Sequence, residues 1–446
     1  MTNNFLTRGL QRLFSSWPRE QHALRNRRER SRRSIPALIE VLEPRKLLVA
    51  ASLNAFQAGN TLIITAPQPN YDVSSLRFAF YTGGSNTTGQ ALGLFLTPAL
   101  GTKVNGSSTL LSFPGVTAVT GFLGTGDDIV SLSASLSPHA TIGSVNLFLS
   151  GGLNSVTLTE LTVGGPMLIT GEKNGLTATN TVFSQGLTMI ASGGGSSVGL
   201  NGVTVNGAAT FLLGSNADLS ASNSRLGATL VIGNGVDVTA NSSTIASLTV
   251  IGGTQSDKVR LSTSTVNGGL TLLLGGGANT VMVESSSVTG FAFLESGAGS
   301  LTFTASTSSF DNGMLVIGGA TQSDTISLSS CVVGGSESFF LGGGPADQFT
   351  ADNCTVVACT LFASGNVNVR LQTHLPNIFP LDETFNGPAL FVVGPNSTLL
   401  FGRDPNSDKT TFQSNLLIIG GTGSTLRRRN VTINGVKTLI GVTDIS

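Results

Sequence analysis

Acidic and amide side chains recur at one place in a repeated pattern, usually after one or more glycines. Their oxygens are ligands that Ca²⁺ prefers, but a calcium site needs roughly six to eight oxygens and each repeat supplies about one carboxylate. Asp and Asn also suit turns, where their side chains bond the nearby backbone. We therefore expect structural turn capping, with calcium as the alternative. The set is Asp128, Asn154, Asp218, Asp237, Asp257, Asn279, Asp324 and Asp347.

Asp127 and Asp128 are the best calcium candidates in this set. Residues 124–129 read Gly-Thr-Gly-Asp-Asp-Ile, which resembles the Gly-Gly-x-Gly-x-Asp calcium repeats of RTX-type β-rolls. Those repeats come about every nine residues, so that two turns share each ion. The pattern in this chain repeats about every 22 residues, so the density of carboxylates is lower, and we assign no metal ligand.

Hydrolysis or elimination on a polysaccharide needs paired carboxylates, or carboxylates with Arg or Lys, converging on one face. Charges are sparse through residues 122–365, where Lys258 and Arg260 alternate with apolar residues, and Glu284 and Arg225 lack obvious partners one repeat away. We name no catalytic residue. The densest polar set lies in the C-terminal part and comprises Arg370, His374, Asp382, Glu383, Arg403 and Asp404.

Three cysteines and three histidines leave little room for metal or thiol chemistry. The histidines His22, His139 and His374 are scattered, and no Cys-x-x-Cys pair occurs. Cys331 and Cys354 are 23 residues apart in matching contexts. We expect them to be stacked neighbours, either as a disulfide or as two thiols. The Gly-x-Gly pieces precede strands and open no helix, so no nucleotide cofactor is expected.

The composition indicates which elements position these residues. Glycine contributes 57 of 446 residues, charged residues are 11%, and the apolar fraction is 40%. The chain is too apolar for general disorder and has too few Glu, Lys and Arg for long surface helices. Abundant Thr, Val, Ser and Gly favour many short strands and tight turns. No uncharged apolar stretch reaches a membrane-spanning length, so no membrane span is expected.

A short apolar run that ends at a small residue recurs every 19 to 26 residues between positions 124 and 363. Each run is followed by a glycine-rich turn and a short alternating strand, such as residues 259–261. Residues 250–257 reappear as residues 316–324 with one insertion, so the larger unit spans about three repeats. A helix-free repeat of this length is the signature of a solenoid of β-strands.

The sequence therefore predicts an all-β, right-handed parallel β-helix with about 22 residues per coil and about 14 coils, on the order of 65–70 Å long. A β-propeller is the runner-up, but so short a repeat cannot supply a four-stranded blade. We expect one stacked interior column. Its members are Leu213, Ile232, Ile251, Leu274, Leu294, Ile317 and Leu341.

Four regions are predicted. A basic leader spans 1–51, an N-terminal β cap 52–121, the regular solenoid 122–365, and irregular coils 366–446, with loops inserted at 366–389 and 396–415. The Asn-rich corners, at Asn180, Asn223, Asn241 and Asn353, are expected to form structural ladders.

The N-terminal region carries the charge asymmetry. Residues 1–50 hold 11 Lys and Arg and 4 Glu, a net charge of +7, whereas the remainder has 13 basic and 20 acidic residues, a net charge of −7. A nucleic-acid arm, an export leader and a solvated tail are the alternatives. Residues 42–48, Leu-Glu-Pro-Arg-Lys-Leu-Leu, resemble the LEPR-XLL sorting segment of large bacterial surface or secreted proteins, which favours export.

The resemblance implies an extracellular or cell-surface destination, with the leader disordered or removed. For the body we expect a non-catalytic, adhesin-like structural role with polysaccharide or other surface proteins as partners and without nucleic acid, because stacked hydroxyls suit weak multivalent contact. The alternative is a polysaccharide lyase or glycosidase on the same scaffold. No cofactor is implied, and the oligomeric state stays open.

Overall fold

The computed structural model describes residues 51–66, 76–81, 93–98, 102–134, 140–371, 383–402 and 409–445. These residues are all-β and contain no helix, so none of them forms a helix that could cross a membrane. Strands about 22 residues apart pair in parallel and in register. The chain coils as a parallel β-solenoid of about 14 turns, which confirms the predicted fold class.

Each regular coil contributes one strand to each of three walls. The first wall consists of Thr61–Thr65, Ala118–Leu123, Val145–Leu149, Met167–Gly171, Gly186–Ala191, Ala208–Ser215, Arg225–Asn234, Thr244–Ile251, Leu270–Leu274, Ala292–Ser296, Met314–Ile317, Val332–Leu341, Thr355–Ala363, Ala389–Val393, Leu416–Arg428 and Lys437–Ile445.

The second wall follows the first across a glycine-rich corner. Its strands are Leu76–Tyr81, Ile129–Ser133, Leu153–Thr159, Lys173–Thr179, Ser197–Asn201, Asp218–Ser222, Asp237–Asn241, Lys258–Ser262, Ala278–Glu284, Ser300–Ser306, Thr325–Ser329, Asp347–Asp352, Val367–Leu371 and Thr398–Phe401. The last two strands of the first wall continue into this wall.

The third wall is the shortest. Its separate strands are Thr141–Ile142, Thr162–Val163, Val182–Phe183, Thr204–Val205, Thr265–Val266, Ser287–Val288, Ser309–Phe310, Glu383–Phe385, Thr410–Phe412 and Val431–Ile433. In four coils the strand runs through the corner into the first wall, beginning at Arg225, Thr244, Val332 and Thr355.

The N-terminal part is built differently. Ala51–Ala58 pairs antiparallel with Thr61–Thr65, and Gly93–Pro98 pairs antiparallel with Leu76–Tyr81 and with Leu111–Pro114. Thr102–Val104 adds a parallel partner to the first of these strands. Antiparallel hairpins at this end cover the first coil, as a solenoid cap must.

Alternation decides which residues reach the core. The strand Ala278–Glu284 is an example: its buried residues are Asn279, Val281 and Val283, while the residues between them face outward. Because side chains alternate across a strand, the three walls together enclose one apolar interior. Close stacking also requires glycine at a corner: a Cβ on Gly275 would lie 1.6 Å from the carbonyl oxygen of Gly253.

The predicted interior column is only partly right. Leu213, Leu274, Leu294 and Leu341 are buried as expected. Ile232, Ile251 and Ile317 face outward, because each follows a buried Val on the first wall. A shift of one residue moves a side chain to the other face. The observed column contains Leu147, Ile169, Met189, Phe211, Val231, Val250, Leu272, Leu294, Val316, Phe339, Leu361, Phe391 and Ile418.

The corner between the second and third walls uses a left-handed backbone conformation in coil after coil. Asn180, Asn223 and Asn353 have φ of 48°, 50° and 56°, so these three share a column as expected. Asn241 lies one position earlier, and Ser242 takes the left-handed place with φ of 49°. Asn tolerates this conformation better than most residues because its side chain bonds the backbone locally.

Candidate binding surface and buried polar columns

The Asp and Asn residues form a buried column at the start of the second wall. Asp257 Oδ1 accepts the backbone N–H of Val236 at 2.9 Å, and Asp324 Oδ1 accepts that of Leu301 at 2.8 Å. Each side chain thus caps a backbone group one coil away, as the turn-capping interpretation requires. The buried members are Asp128, Asn154, Asn174, Asp257, Asn279, Asp324 and Asp347.

Two predicted members do not belong to this column. Asp218 and Asp237 pair with each other in the outward-facing column one position later. Ala217 and Val236 take the interior place in those two coils. The prediction that Asp218 and Asp237 share a column with Asp257 is therefore wrong by one residue.

The calcium candidates Asp127 and Asp128 do not converge. Asp128 is fully buried, whereas Asp127 is exposed and its Oδ1 accepts the N–H of Leu153 at 2.6 Å. Within the described ranges, no group of three or more His, Cys, Asp and Glu side chains could hold a metal ion. The geometry favours a backbone-capping role for this pair.

Burial perturbs the acids of the column. Desolvation raises the pKa of Asp257 and Asp324 above the usual Asp value. It raises the pKa of Asp347 to about 6, with a further contribution from the neighbouring Asp324 carboxylate. Asp324 donates its backbone N–H to Asp347 Oδ1 at 2.9 Å, so the two acids are stacked on successive coils.

A second buried column runs along the start of the third wall and is built largely from hydroxyls. Ser224 donates its backbone N–H to Ser243 Oγ at 3.1 Å, and Ser243 donates to Ser264 Oγ in the same way. The pattern continues through Ser286 and Ser308. This ladder satisfies polar groups inside the wall and is structural.

Cys331 and Cys354 extend this ladder, which confirms that they are stacked neighbours. Thr355 donates its N–H to the carbonyl of Cys331 at 2.9 Å. Each thiol lies 3.4 Å from the carbonyl oxygen two residues before it. Both are buried free thiols in this structure.

Sequence reasoning missed a buried acid. Glu337 lies inside the first wall, in register between Met314 and Cys359, and is 1% exposed. Desolvation raises its pKa to about 8, although a hydrogen bond with the Cys359 thiol lowers it in part. Side chains alternate between the two faces of a strand, so Glu337 lies on the same face as buried Phe339. This alternation is the only signal in the sequence for the burial of Glu337.

The C-terminal polar set does not converge among the residues that the structure describes. Arg370 faces outward on the second wall, while Glu383 is buried inside the third wall. The remaining four members, His374, Asp382, Arg403 and Asp404, lie outside the described residues.

Glu284 has a partner that the sequence did not indicate. Its Oε2 bonds to Arg260 Nη2 at 2.7 Å across two adjacent coils of the second wall. The Arg260 side chain is 51% exposed. A solvent-exposed pair of this kind contributes little to stability.

An open groove lies at the corner of the second and third walls. Its volume is about 340 Å³, and it is lined by residues 263–265, 285–287, 307–309 and 330 with Val332. Every lining residue except Val332 carries a hydroxyl. Ser309 donates to Ser287 Oγ at 2.9 Å, so neighbouring coils are linked along it. The groove presents uncharged hydroxyls at the coil spacing.

The outer face of the first wall has a different chemistry. One outward column is apolar except at two positions, Thr170 and Glu295. Its members are Phe122, Phe148, Thr170, Ile190, Leu212, Ile232, Ile251, Leu273, Glu295, Ile317, Phe340, Phe362, Val392, Ile419 and Ile440.

Comparisons with protein-family models, with curated proteins and with solved structures find no match for this chain. They add nothing to the LEPR-XLL resemblance, which rests on residues outside the described ranges. The description of the groove and of the outer face of the first wall therefore rests on their geometry.

Proposed function

We propose that this chain is a non-catalytic, exported β-solenoid that binds polysaccharide through its hydroxyl groove. The observation that carries the proposal is the groove itself, which continues over four coils and presents seven Ser and Thr residues outside the buried serine ladder. Sugar polymers repeat hydroxyls along their length and can exchange hydrogen bonds with such a surface. Each contact is weak, but many equivalent contacts on one rigid scaffold add by effective concentration.

The charge distribution supports binding over cleavage. Catalysis on polysaccharide needs carboxyl groups converging on the substrate. Buried acids such as Glu337 and Glu383 face the interior instead, and the groove lining contains neither acid nor base. An adhesin-like contact needs only the repeated outer surface.

Export is the second part of the proposal. It is supported by the arginine-rich leader and by its resemblance, at residues 42–48, to the LEPR-XLL segment. Fractionation of native cells followed by N-terminal sequencing tests it. We expect the protein at the surface or in the medium, and recovery of the intact chain in the cytoplasm alone would contradict export.

The binding proposal is tested with a panel of neutral and acidic insoluble polysaccharides. The full chain is incubated with each, and both the bound fraction and the chain length of the polymer are measured. We expect binding to at least one neutral polysaccharide with no change in its chain length. Shortening of any polymer would favour the lyase or glycosidase alternative, and binding to none would overturn the proposal.

A further inference from the structure

The outer face of the first wall is unusually free of charge. Beside the apolar column described above runs a second outward column, two residues earlier in each strand, that holds only Thr, Ser, Asn, Leu and Phe. Its members are Thr120, Asn146, Leu168, Thr188, Thr210, Leu230, Thr249, Thr271, Phe293, Leu315, Ser338, Thr360, Leu390, Leu417 and Thr438. Of the 30 residues in the two columns, Glu295 alone is charged.

We propose that this face is a dimer interface, and that its occupant is a second copy of the chain packed face to face with its solenoid axis reversed. A face without charge offers nothing to recognise a charged partner. It offers one long apolar column beside an uncharged column of Thr, Ser, Asn, Leu and Phe, and isolated proteins rarely leave an apolar strip of this length uncovered. Phe122, Leu212 and Phe340 are 47%, 36% and 41% exposed in the single chain.

The order of residues along the column supports a twofold arrangement. Thr170 and Glu295, the two polar members, lie equally far from Ile232, three coils before it and three coils after it. We place a twofold axis at Ile232, parallel to the strands. This axis reverses the order of the coils in the second copy, so that each column faces the same column of the partner. Thr170 of each copy then faces Glu295 of the other, so that a hydroxyl can donate to the one carboxylate.

The same axis matches the remaining positions by chemistry. In the apolar column it sets Phe122 opposite Phe340 and Leu212 opposite Ile251. In the neighbouring column it sets Thr188 opposite Thr271. An isologous contact requires this kind of self-complementarity, in which one patch serves both copies.

The area is sufficient for a stable dimer. Eleven coils, from Phe122 to Phe340, overlap under this axis. With a strand spacing of about 4.8 Å and a width of about four residues, the face measures about 53 Å by about 13 Å. The two copies together bury about 1,400 Å², which is within the range of specific protein interfaces.

The aromatic residues argue against a sugar ligand on this face. The rings of Phe122 and Phe148 stack with centroids 4.8 Å apart and planes 6° from parallel, and Phe340 and Phe362 stack in the same way. Stacked rings turn their flat faces toward each other and their edges outward. Sugar rings pack on exposed aromatic faces, whereas ring edges interdigitate with the side chains of a second sheet.

Sedimentation equilibrium of the full chain at micromolar concentration tests the proposal. We expect a dimer, and we expect Ile232→Glu to shift it to monomer because the axis brings the two introduced charges together. Thr239→Glu on the second wall is the matched control and should remain dimeric. A wild-type monomer, or assemblies that grow with concentration, would overturn the proposal.

The register is tested separately. Ile232→Cys should cross-link to itself with a short bis-maleimide, because the position lies on the axis, while Thr239→Cys should not; the native thiols are buried. Thr170→Arg should tighten the dimer several-fold by pairing with Glu295. If Thr170→Arg weakens the dimer, or if the Ile232→Cys variant stays uncross-linked, the reversed arrangement is wrong. Melting curves establish that each variant is folded.

Discussion

Burial of Glu337 makes a specific prediction about the pH dependence of stability. The side chain is 1% exposed and its Oε2 accepts no hydrogen bond from any described residue. The fold favours the protonated form, because desolvation raises the pKa from 4.5 to about 8. The contribution of protonated Glu337 to the free energy of unfolding is therefore fully present below pH 4.5, the pKa in the unfolded chain, and is lost as the pH rises toward 8. The loss amounts to about 4 kcal/mol between pH 4 and pH 8.

The measurement is the free energy of urea unfolding for wild type and Glu337→Gln at intervals from pH 4 to pH 8. Gln keeps the size of the side chain and removes the titration, so the difference between the two proteins isolates this residue. The free energy of unfolding of the variant, relative to that of the wild type, should rise by about 4 kcal/mol between pH 4 and pH 8. Glu160→Gln, at an exposed position outside the first wall, is the control and should follow the wild-type curve. A Glu337→Gln difference that does not change with pH would refute the reasoning.

Three further predictions concern the interior. Leu158→Ala should cost about 2–5 kcal/mol, whereas Leu153→Ala, at an outward-facing position of the same second-wall strand, should cost less than about 1 kcal/mol; equal losses in thermal unfolding would contradict the register. Cys331→Ser should change stability by less than about 1 kcal/mol, because Ser occupies the same ladder position in five preceding coils; a large drop in the melting temperature would show that the thiol itself is required. Asp324→Asn should stabilise the protein at pH 8 and lower the pKa of Asp347, because it removes a neighbouring charge; an unchanged Asp347 titration by NMR would contradict this.

The sequence predicted the period of the coil correctly, but it did not predict for every residue whether the side chain faces inward or outward. Recurrent glycines mark the corners, because a Cβ there would collide with the coil below, and their spacing predicts the period correctly. The corner does not set the register, however. Between Leu212 and Ser215 the pairing shifts by a residue. A residue counted from the glycine, such as Ile232, is therefore assigned to the wrong face.

The same limit explains the polar residues. Asp257 and Asp237 look alike beside their glycines, yet one is buried and the other faces outward. The stacking of Cys331 on Cys354 followed from their matched contexts, because identical local sequence places both at the same point of the coil. Stacked hydroxyls were expected from the recurring Ser and Thr, but the corner at which they line one groove could not be assigned, because it depends on the three-dimensional packing of four coils.

The most direct test of the proposed function compares polysaccharide affinity between two matched variants of the full chain. Thr265→Val, Ser287→Val and Ser309→Val together remove outward hydroxyls from the groove. Thr141→Val, Thr162→Val and Thr204→Val make the matching change in earlier coils of the same column. Valine is tolerated there, since Val182 occupies that column naturally.

With the polysaccharide that binds the wild type, we expect the groove variant to lose at least about tenfold in affinity, equivalent to about 1.4 kcal/mol. The control variant should bind within about twofold of the wild type. Equal affinity of the two variants would contradict the assignment of the groove as the binding surface.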